Sequence, residues 1–295
     1  MSTEHNTIDD ITRTKTSVDG TERIPARDSS GDFKITVANF QASLTAPSTY
    51  FTDENYTVLD DDNYERIEVD TTSGDITITL PLKANNLKRK IEIANVKGGT
   101  NKVIIAPNAT DANKLSSDGL AAIWLPKVGD FVAFQESANS GKWEITGERI
   151  TAQLRLDTRA GFGSTETKIE RFTNSIGNIG NMFSENHSTG YNSNAEGLKI
   201  TINRSGRYSF DWASSSTNST TNQTLAFSLN STQLTTNAGS ITLSTILNNT
   251  FTLGNAPSAV SWSGYLKKGD IIRPHTDALS STYARQTFSV SYLGN

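Results

Sequence analysis

Apolar and polar residues alternate along much of this chain, in short segments that end at Gly, Asp, Asn or Pro. The alternation is clearest in Tyr64–Asp70, Ile76–Leu80, Gly197–Ile202, Arg207–Trp212 and Thr287–Leu293. Successive side chains of a β-strand point to opposite faces, so this period of two predicts half-buried strands. Many short strands with turn residues between them predict an all-β protein.

The strand pattern divides the chain into three blocks. Residues 1–48 are polar and weakly periodic, with an extended segment at Thr21–Asp28 and a strand predicted at Phe33–Val37. Residues 49–148 contain regularly spaced strands and predict a β-rich domain, either a sandwich, a barrel or a β-prism. The pattern stops near Glu148–Ala152 and restarts with a new composition, which predicts a separate β-sandwich over 149–295. A chain of 295 residues is long enough for such a division, since it exceeds what one core usually serves.

In the last block, Thr167–Thr173 is predicted to be a strand and Asn174–Glu196 a polar loop. The sequence Lys267-Lys268-Gly269-Asp270 predicts a turn, and Gly129-Asp130 predicts a similar turn in the middle block. Thr287–Leu293 is predicted to be a central strand, because loose termini are usually polar and this apolar segment stands next to the end.

Composition excludes several classes of function. The net charge of −4 gives no general field that would attract nucleic acid or an anionic membrane. The chain has no cysteine, so disulfides and zinc–thiolate sites are excluded. Met1–Asp10 has no apolar core of a signal peptide, and no run is long enough for a membrane helix. We therefore expect a soluble protein, made in a cytoplasm, that neither binds nucleic acid nor inserts into a membrane.

Catalytic and metal-binding patterns are missing from the sequence. With three histidines and no nucleophile or phosphate-loop motif, we expect no catalytic residues, no cofactor and no enzymatic activity. The acidic run Asp60-Asp61-Asp62 lacks the glycine and glutamate offsets of a calcium loop, so a solvated turn is favoured and no metal site is predicted.

Two stretches resemble parts of bacteriophage proteins. The order DGTERIPARDSSGDFKITVANF in the first block resembles an N-terminal attachment segment of phage virion proteins. The run from Tyr56 to Thr146, with YERIEVD, GDFVAFQ and GKWEIT, resembles small β-domains of phage fibre and spike proteins. The resemblance implies a docking segment over 1–48 and a collar or shaft domain over 49–148.

The last block resembles the tumour-necrosis-factor-like jelly roll, which is shared with complement globular heads. The shared pattern contains Gly206-x-Tyr208-x-Phe210, a strand of the Leu-x-Leu-Asn type (here LAFSLN, residues 225–230), the turn Leu266-x-x-Gly269-Asp270 and a terminal Phe-Ser strand. Arg273-Pro274 departs from the longer apolar alternation that the family often keeps at that place. The resemblance implies a jelly-roll tip domain over 149–295 that assembles as a homotrimer, with aromatic strand faces around the threefold axis.

The aromatic residues of this block are the candidates for the trimer core, although they could equally fill the core of the monomer. Obligate subunit interfaces bury roughly 2,000 Å² or more, much of it apolar, which would accommodate them. The trimer-core candidates are Tyr208, Phe210, Trp212, Trp262, Tyr265, Phe288 and Tyr292.

Together these features predict a virion structural protein, a head or tail fibre, whose N-terminus docks on capsid, portal or tail proteins. Its tip is expected to bind a host-surface glycan or protein through the polar loops Asn174–Glu196, Ser214–Asn222 and His275–Tyr283, where recognition on a rigid scaffold usually lies. The receptor-contact candidates are Tyr191, His275 and Tyr283. The alternative is a capsid decoration or joining protein whose tip only trimerises and contacts other virion proteins. A secreted carbohydrate-binding module is disfavoured by the missing signal peptide.

Overall fold

The computed structural model describes residues 23–28, 31–36, 48–86, 88–111, 115–137, 141–158, 168–186, 197–215, 223–252, 256–276 and 285–295. The chain divides into two compact units, Met1–Ser48 and Thr49–Asn295. All regular elements among the described residues are β-strands or short 3₁₀ turns, so the predicted all-β class is confirmed. None of these residues forms a helix long and apolar enough to cross a membrane.

The described part of the first unit is a pair of antiparallel strands, β1 (Arg23–Asp28) and β2 (Gly31–Thr36). Their register runs from Arg23 opposite Thr36 to Asp28 opposite Gly31. The predicted extended segment and the predicted strand after it are thus confirmed as the two arms of a hairpin.

The second unit begins with a sandwich of two sheets, called here the first sandwich. Its strands are β3 (Ser48–Thr52), β4 (Tyr56–Thr57), β5 (Tyr64–Asp70), β6 (Ile76–Thr79), β7 (Lys90–Lys97), β8 (Val103–Ala106), β9 (Ile123–Leu125), β10 (Phe131–Ser137) and β11 (Lys142–Arg149). One sheet has the order β11-β10-β7-β5-β3 and the other has the order β4-β6-β8-β9. Apolar side chains of both sheets, among them Ile67, Ile93, Ile78 and Ile105, belong to one core.

Between β4 and β8 the chain changes sheet at every strand, and this explains the parallel pairs in the first sandwich. β5 and β7 are parallel neighbours in one sheet, while β4, β6 and β8 are parallel neighbours in the other. Because a strand of the facing sheet intervenes each time, it serves as the crossover connection that parallel neighbours require.

The rest of the second unit forms another two-sheet structure, called here the second sandwich. Its strands are β12 (Gln153–Thr158), β13 (Asn174–Ile179), β14 (Phe183–Glu185), β15 (Ile200–Ile202), β16 (Gly206–Ser214), β17 (Gln223–Leu229), β18 (Ile246–Thr252), β19 (Ser258–Leu266), β20 (Ile271–Thr276) and β21 (Gln286–Gly294). The first sheet has the order β13-β12-β21-β16-β19 and the second has the order β14-β15-β20-β17-β18. Neighbours in both sheets are antiparallel.

This strand order is a jelly roll, as the sequence pattern predicts. Strands that are distant in sequence are neighbours, since β12 pairs with β21 and β17 pairs with β20. β21 lies in the middle of its sheet between β12 and β16, which confirms that Thr287–Leu293 is a central strand. β12 to β21 pair only with one another among the described strands, as β3 to β11 do in the first sandwich.

The same Gly-Asp turn occurs in both sandwiches. Gly129 has φ +88° and Gly269 has φ +90°, a left-handed conformation that favours glycine. In each turn the aspartate side chain accepts a hydrogen bond from the backbone N–H of the lysine three residues earlier, at 2.9 Å for Asp130 and 2.8 Å for Asp270. The predicted turns are confirmed, and their recurrence shows that this motif alone does not identify a jelly roll.

Gly206, the first residue of the Gly-x-Tyr-x-Phe pattern, allows two central strands to approach closely. A Cβ atom on Gly206 would lie 2.6 Å from Cε2 of Tyr292 and 2.9 Å from the carbonyl oxygen of Gly294. We expect Gly206→Ala to lower the free energy of unfolding by about 1–3 kcal/mol, the usual range for overpacking a core. Urea denaturation should show this loss. The control Gly74→Ala, where a Cβ would meet nothing within 4 Å, should stay close to the wild type.

The two sandwiches are joined by a buried ion pair. The guanidinium of Arg204, on the connection before β16, contacts the carboxylate of Glu148 at the end of β11, and their side chains are only 2% and 9% exposed. Tyr292 Oη donates to Glu148 Oε1 at 2.6 Å, and Arg204 lies over the Tyr292 ring, 5.5 Å from its centroid. Burial, with the hydrogen bond to Glu148, raises the pKa of the Tyr292 hydroxyl, so this group remains a donor at neutral pH.

A second polar contact strengthens the same junction. Asp118 of the first sandwich accepts hydrogen bonds from the backbone N–H and the hydroxyl of Ser205, both at 2.8 Å. Lys268 Nζ donates to the Asp118 carbonyl oxygen, also at 2.8 Å. Hydrophobic side chains of both sandwiches belong to one continuous core cluster. The sandwiches are therefore held together by packing and by charge-assisted hydrogen bonds.

Two sequence predictions about the second sandwich are wrong. The predicted loop at Asn174–Glu196 contains β13 and β14, and Met182 and Phe183 are buried. The predicted strand at Thr167–Thr173 is replaced, over its described residues, by isolated β-bridge residues at Ile169 and Glu170, of which Ile169 pairs with His275.

Candidate functional site

Most of the predicted trimer-core aromatics lie inside the second sandwich. Five of them are at most 6% exposed: Tyr208, Phe210, Trp212, Phe288 and Tyr292. Their rings contact one another and Phe227 of the second sheet, with centroids 5.2–6.5 Å apart. Side chains that their own chain already encloses have no surface left for another copy, so for these five the structure favours the monomer core.

The other two aromatics lie on the edge strand β19. Trp262 is half-buried, and its ring centroid is 6.0 Å from that of Phe210. Tyr265 is 55% exposed and points to the opposite face of the sheet. Arg207 pairs with Tyr265 on one side and with Gly294 on the other, so Tyr265 and Leu293, which precedes Gly294, lie at the same end of the sheet. Leu293 is 54% exposed, and the two residues form an exposed apolar pair there.

The outer face of the first jelly-roll sheet is lined almost entirely by short side chains, and we call it the serine face. Its side chains alternate with the buried core residues of β12, β16, β19 and β21. The register arranges them in three rows, which are Gln153, Ser291, Ser209 and Ser263; Arg155, Ser289, Asp211 and Ser261; and Asp157, Thr287, Ala213 and Ala259.

Apart from the buried Asp157, every side chain of the serine face is exposed or half-buried, and the face is concave near its middle. A depression of about 470 Å³ lies around Arg155, Asp211 and Ser289, and a second of about 410 Å³ adjoins it near Arg285 and Pro257. The sequence contains the signal for this face, because serines occupy alternate positions in FSVSY and in SAVSWSGY. The strand predictions rest on the apolar residues of each alternation alone, so they do not include the serine face.

The outer face of the second jelly-roll sheet is, in contrast, covered by the protein itself. The cover lies over its central strands β17 and β20, whose outward side chains Thr224, Ala226, Ser228, Arg273 and His275 are at most 8% exposed, whereas Phe251 of the edge strand β18 is 60% exposed. The segment between β17 and β18 contacts β17, and its Leu234 carbonyl accepts a hydrogen bond from Lys168 N at 2.7 Å. Among the described residues, the serine face has no such cover.

The prediction that His275 lies in an exposed polar loop is wrong. His275 is part of β20, pairs with Ala226 of β17 and has no exposed surface. It therefore has no surface with which to contact a receptor. The other two receptor-contact candidates, Tyr191 and Tyr283, lie outside the described residues. Most of the loops that carry them lie outside as well.

Burial shifts the pKa values of two groups beneath the covering segment. Desolvation raises the pKa of the Glu170 carboxyl to about 8, against the opposing effect of Arg171. Desolvation and the nearby Arg273 lower the pKa of His275 to about 4, against a hydrogen bond with the Thr236 backbone. Glu170 N donates to the Pro274 carbonyl at 2.8 Å, so the two groups lie on neighbouring segments.

These shifts predict how stability depends on pH. The raised pKa of Glu170 stabilises the fold at low pH, and this contribution is lost as pH rises toward about 8. The lowered pKa of His275 affects stability only below pH 6.5, the ordinary pKa of histidine. In that range the free energy of unfolding falls as pH falls toward about 4. Between pH 6.5 and 8 the free energy of unfolding should decrease for the wild type and for His275→Gln. In Glu170→Gln that decrease should be smaller, and an unchanged slope would contradict the buried neutral carboxyl.

In the acidic run of the first sandwich, the carboxylates of Asp60 and Asp62 accept hydrogen bonds from other side chains of the protein. Asp60 accepts from the side-chain amides of Asn85 and Asn86 at 2.5 and 2.7 Å, and these bonds lower its pKa. Asp62 accepts from Tyr56 Oη at 2.5 Å. Over the described residues, no group of three His, Asp or Glu side chains is placed to hold a metal ion.

No family model and no curated protein matches the sequence. Solved structures that are similar include the PRD1 vertex protein P5, at 12% identity and TM-score 0.32, covering 50% of this chain and 99% of that chain. The globular domain of zebrafish complement 1qA is 14% identical, with TM-score 0.31, and covers 49% of this chain and 99% of that chain. Murine APRIL is 14% identical, with TM-score 0.32 and coverage of 48% and 99%. These identities and scores are low, and the jelly roll is therefore assigned from the strand order described above.

Proposed function

We propose that this chain is a structural fibre protein of a bacteriophage particle, on the head or the tail, and that it works as a homotrimer. The first unit docks on other virion proteins of the capsid, portal or tail. The first sandwich is the collar. The second sandwich is the tip, which attaches the particle to a glycan or protein of the host surface.

The serine face is the observation that supports the trimer best. The central strands of one outer face of the jelly roll are covered by the chain itself, while the other face presents short side chains, a depression and the exposed residues Tyr265 and Leu293 at its end. Short side chains let a neighbouring copy approach the sheet closely. The sequence resemblance to trimeric jelly rolls supports the same assignment, since β12, β16, β19 and β21 form one sheet here.

The buried junction between the sandwiches supports a role as a rigid structural protein. An ion pair such as Arg204–Glu148 restricts the relative orientation of the two sandwiches, because movement would expose or unpair buried charge. A collar and tip held in this way would present the loops of the tip in fixed directions.

Host attachment is tested by binding of the full-length protein to host cells. We expect saturable binding that Tyr191→Ala and Tyr283→Ala weaken. The control Phe251→Ala, which removes a 60% exposed aromatic from strand β18, should bind as the wild type does. Removal of residues 1–44 should abolish incorporation into particles and leave the trimer intact. Incorporation of the truncated protein would contradict the docking role.

The second candidate function is a capsid decoration or joining protein, whose tip trimerises and contacts only other virion proteins. The polar composition of the loops fits this candidate equally well, because Ser, Thr and Asn side chains are also typical of solvent-facing loops. Absence of binding to host cells, together with normal incorporation into particles, would favour it over attachment.

A further inference from the structure

Two opposite charges share the middle row of the serine face. Arg155 on β12 and Asp211 on β16 both pair with Ser289 of the intervening strand β21. Neighbouring strands are about 4.8 Å apart, so the two backbones are separated by about 10 Å. Both residues are exposed, and both line the depression of about 470 Å³.

Neither charge forms an ion pair within the described residues of its own chain. The nearest arginine–aspartate pair on the sheet is Arg285 with Asp157, at 3.6 Å. The one side-chain hydrogen bond of Asp211 within the described chain is from Ser209 Oγ, at 3.5 Å. Both charges are exposed to solvent in the single chain, and each can form an ion pair with a group of opposite charge.

Association through this face would remove both charges from water. An ionised group that is buried without a partner costs several kcal/mol, whereas an opposite charge at hydrogen-bond distance offsets that cost. Asp157, which lies on the same face of β12 as Arg155, is 9% exposed, contacts Arg285 at 3.6 Å and accepts a hydrogen bond from Asn174 Nδ2 at 3.0 Å. The remaining side chains of the three rows are neutral, so Arg155 and Asp211 are the charges of these rows without an ion-pair partner in the described chain, and the opposite charge of another copy can neutralise each of them.

We propose that Arg155 of one copy pairs with Asp211 of the neighbouring copy and that this pair fixes the register of the assembly. The proposal rests on the homotrimer of the proposed function. Each copy contributes one Arg155 and one Asp211, so a closed ring of three copies contains three identical pairs and leaves neither charge unmatched. The neighbouring copy therefore completes a site that is only half formed in one chain.

Arg285, which lines the adjoining depression, already contacts Asp157 at 3.6 Å, and a further cation on this side of the sheet is Arg207. It lies on β16 beside Tyr265, four residues before Asp211 and beyond the serine rows. Because it is at the end of the face, it is a competing partner for Asp211 of another copy. The experiment distinguishes the two arginines.

The test is the solution mass of full-length charge-reversal variants, measured by light scattering at micromolar concentration. Arg155→Asp and Asp211→Arg each place like charges opposite one another and should weaken association by about 100-fold or more, giving single chains. The double variant Arg155→Asp/Asp211→Arg exchanges the charges and should restore the trimer. Lys127→Asp, an equal charge reversal on the exposed Gly-Asp turn of the first sandwich, should remain trimeric.

The outcomes separate this inference from the function on which it rests. A wild-type chain that stays single contradicts the homotrimer and the pair together. A trimeric wild type with trimeric single variants overturns the pair alone, and so does a double variant that stays dissociated. Rescue of Asp211→Arg by Arg207→Asp, in place of Arg155→Asp, would also overturn it. Far-UV circular dichroism of each exposed-site variant should show the wild-type fold.

Discussion

Glu148→Gln is expected to lower the free energy of unfolding by about 3–5 kcal/mol, the usual cost of removing one partner from a buried ion pair. The variant leaves the Arg204 guanidinium, 2% exposed, without its counter-ion. It also exchanges the carboxylate that accepts the Tyr292 hydroxyl at 2.6 Å for a neutral amide. Since both sandwiches contribute to this cluster, the loss should appear in the unfolding of the whole second unit.

Chemical denaturation measures this loss directly. Glu144→Gln makes the same change on the same strand, where the side chain is half-exposed, and should shift the free energy of unfolding by less than about 0.5 kcal/mol. The double variant Glu148→Leu/Arg204→Met removes both charges and should recover much of the stability. If Glu148→Gln is as stable as Glu144→Gln, the ion pair does not hold the sandwiches together.

Phe210→Ala is expected to destabilise the protein by about 3–5 kcal/mol, the range for truncating a buried aromatic. The Phe210 ring is fully buried and contacts the rings of Tyr208, Phe227, Phe288 and Trp262 at centroid distances of 6.0–6.5 Å. The cavity would lie inside one chain, so the folded variant should still assemble as the wild type does.

Tyr265→Ala is the matched variant for this prediction, because it removes an aromatic from the neighbouring strand on the outer face. Tyr265 is 55% exposed within its own chain, so its loss should cost the single chain little. It should weaken association, lower the unfolding midpoint at a given protein concentration and make that midpoint depend less steeply on concentration. Phe210→Ala with wild-type stability would contradict the assignment of Phe210 to the monomer core.

The sequence predicts those strands that bury one face and expose the other. β16 alternates between buried residues and exposed or half-buried ones, as β21 does over most of its length, and the residues that share each apolar face were predicted correctly, although those faces were assigned to the trimer axis. The missed strand β13 has the sequence NSIGNI and no buried residue. It is held at the edge of its sheet by backbone hydrogen bonds to β12, which leave no trace in the hydrophobic pattern.

The position of His275 could not be predicted from its neighbours in sequence. It precedes a polar stretch and lies on the outer face of its sheet, where exposure is the ordinary expectation. Its burial depends on the segment between β17 and β18, which contacts that face from a position about 30 residues earlier in the chain. Contacts of this kind are set by tertiary packing, and local alternation carries no information about them.

The solution mass of the intact protein tests the central claim most directly. At micromolar concentration, light scattering or sedimentation equilibrium should give three times the mass of the chain, and Tyr265→Ala should move that value toward one chain. A wild-type protein with the mass of a single chain under these conditions would contradict the trimeric fibre.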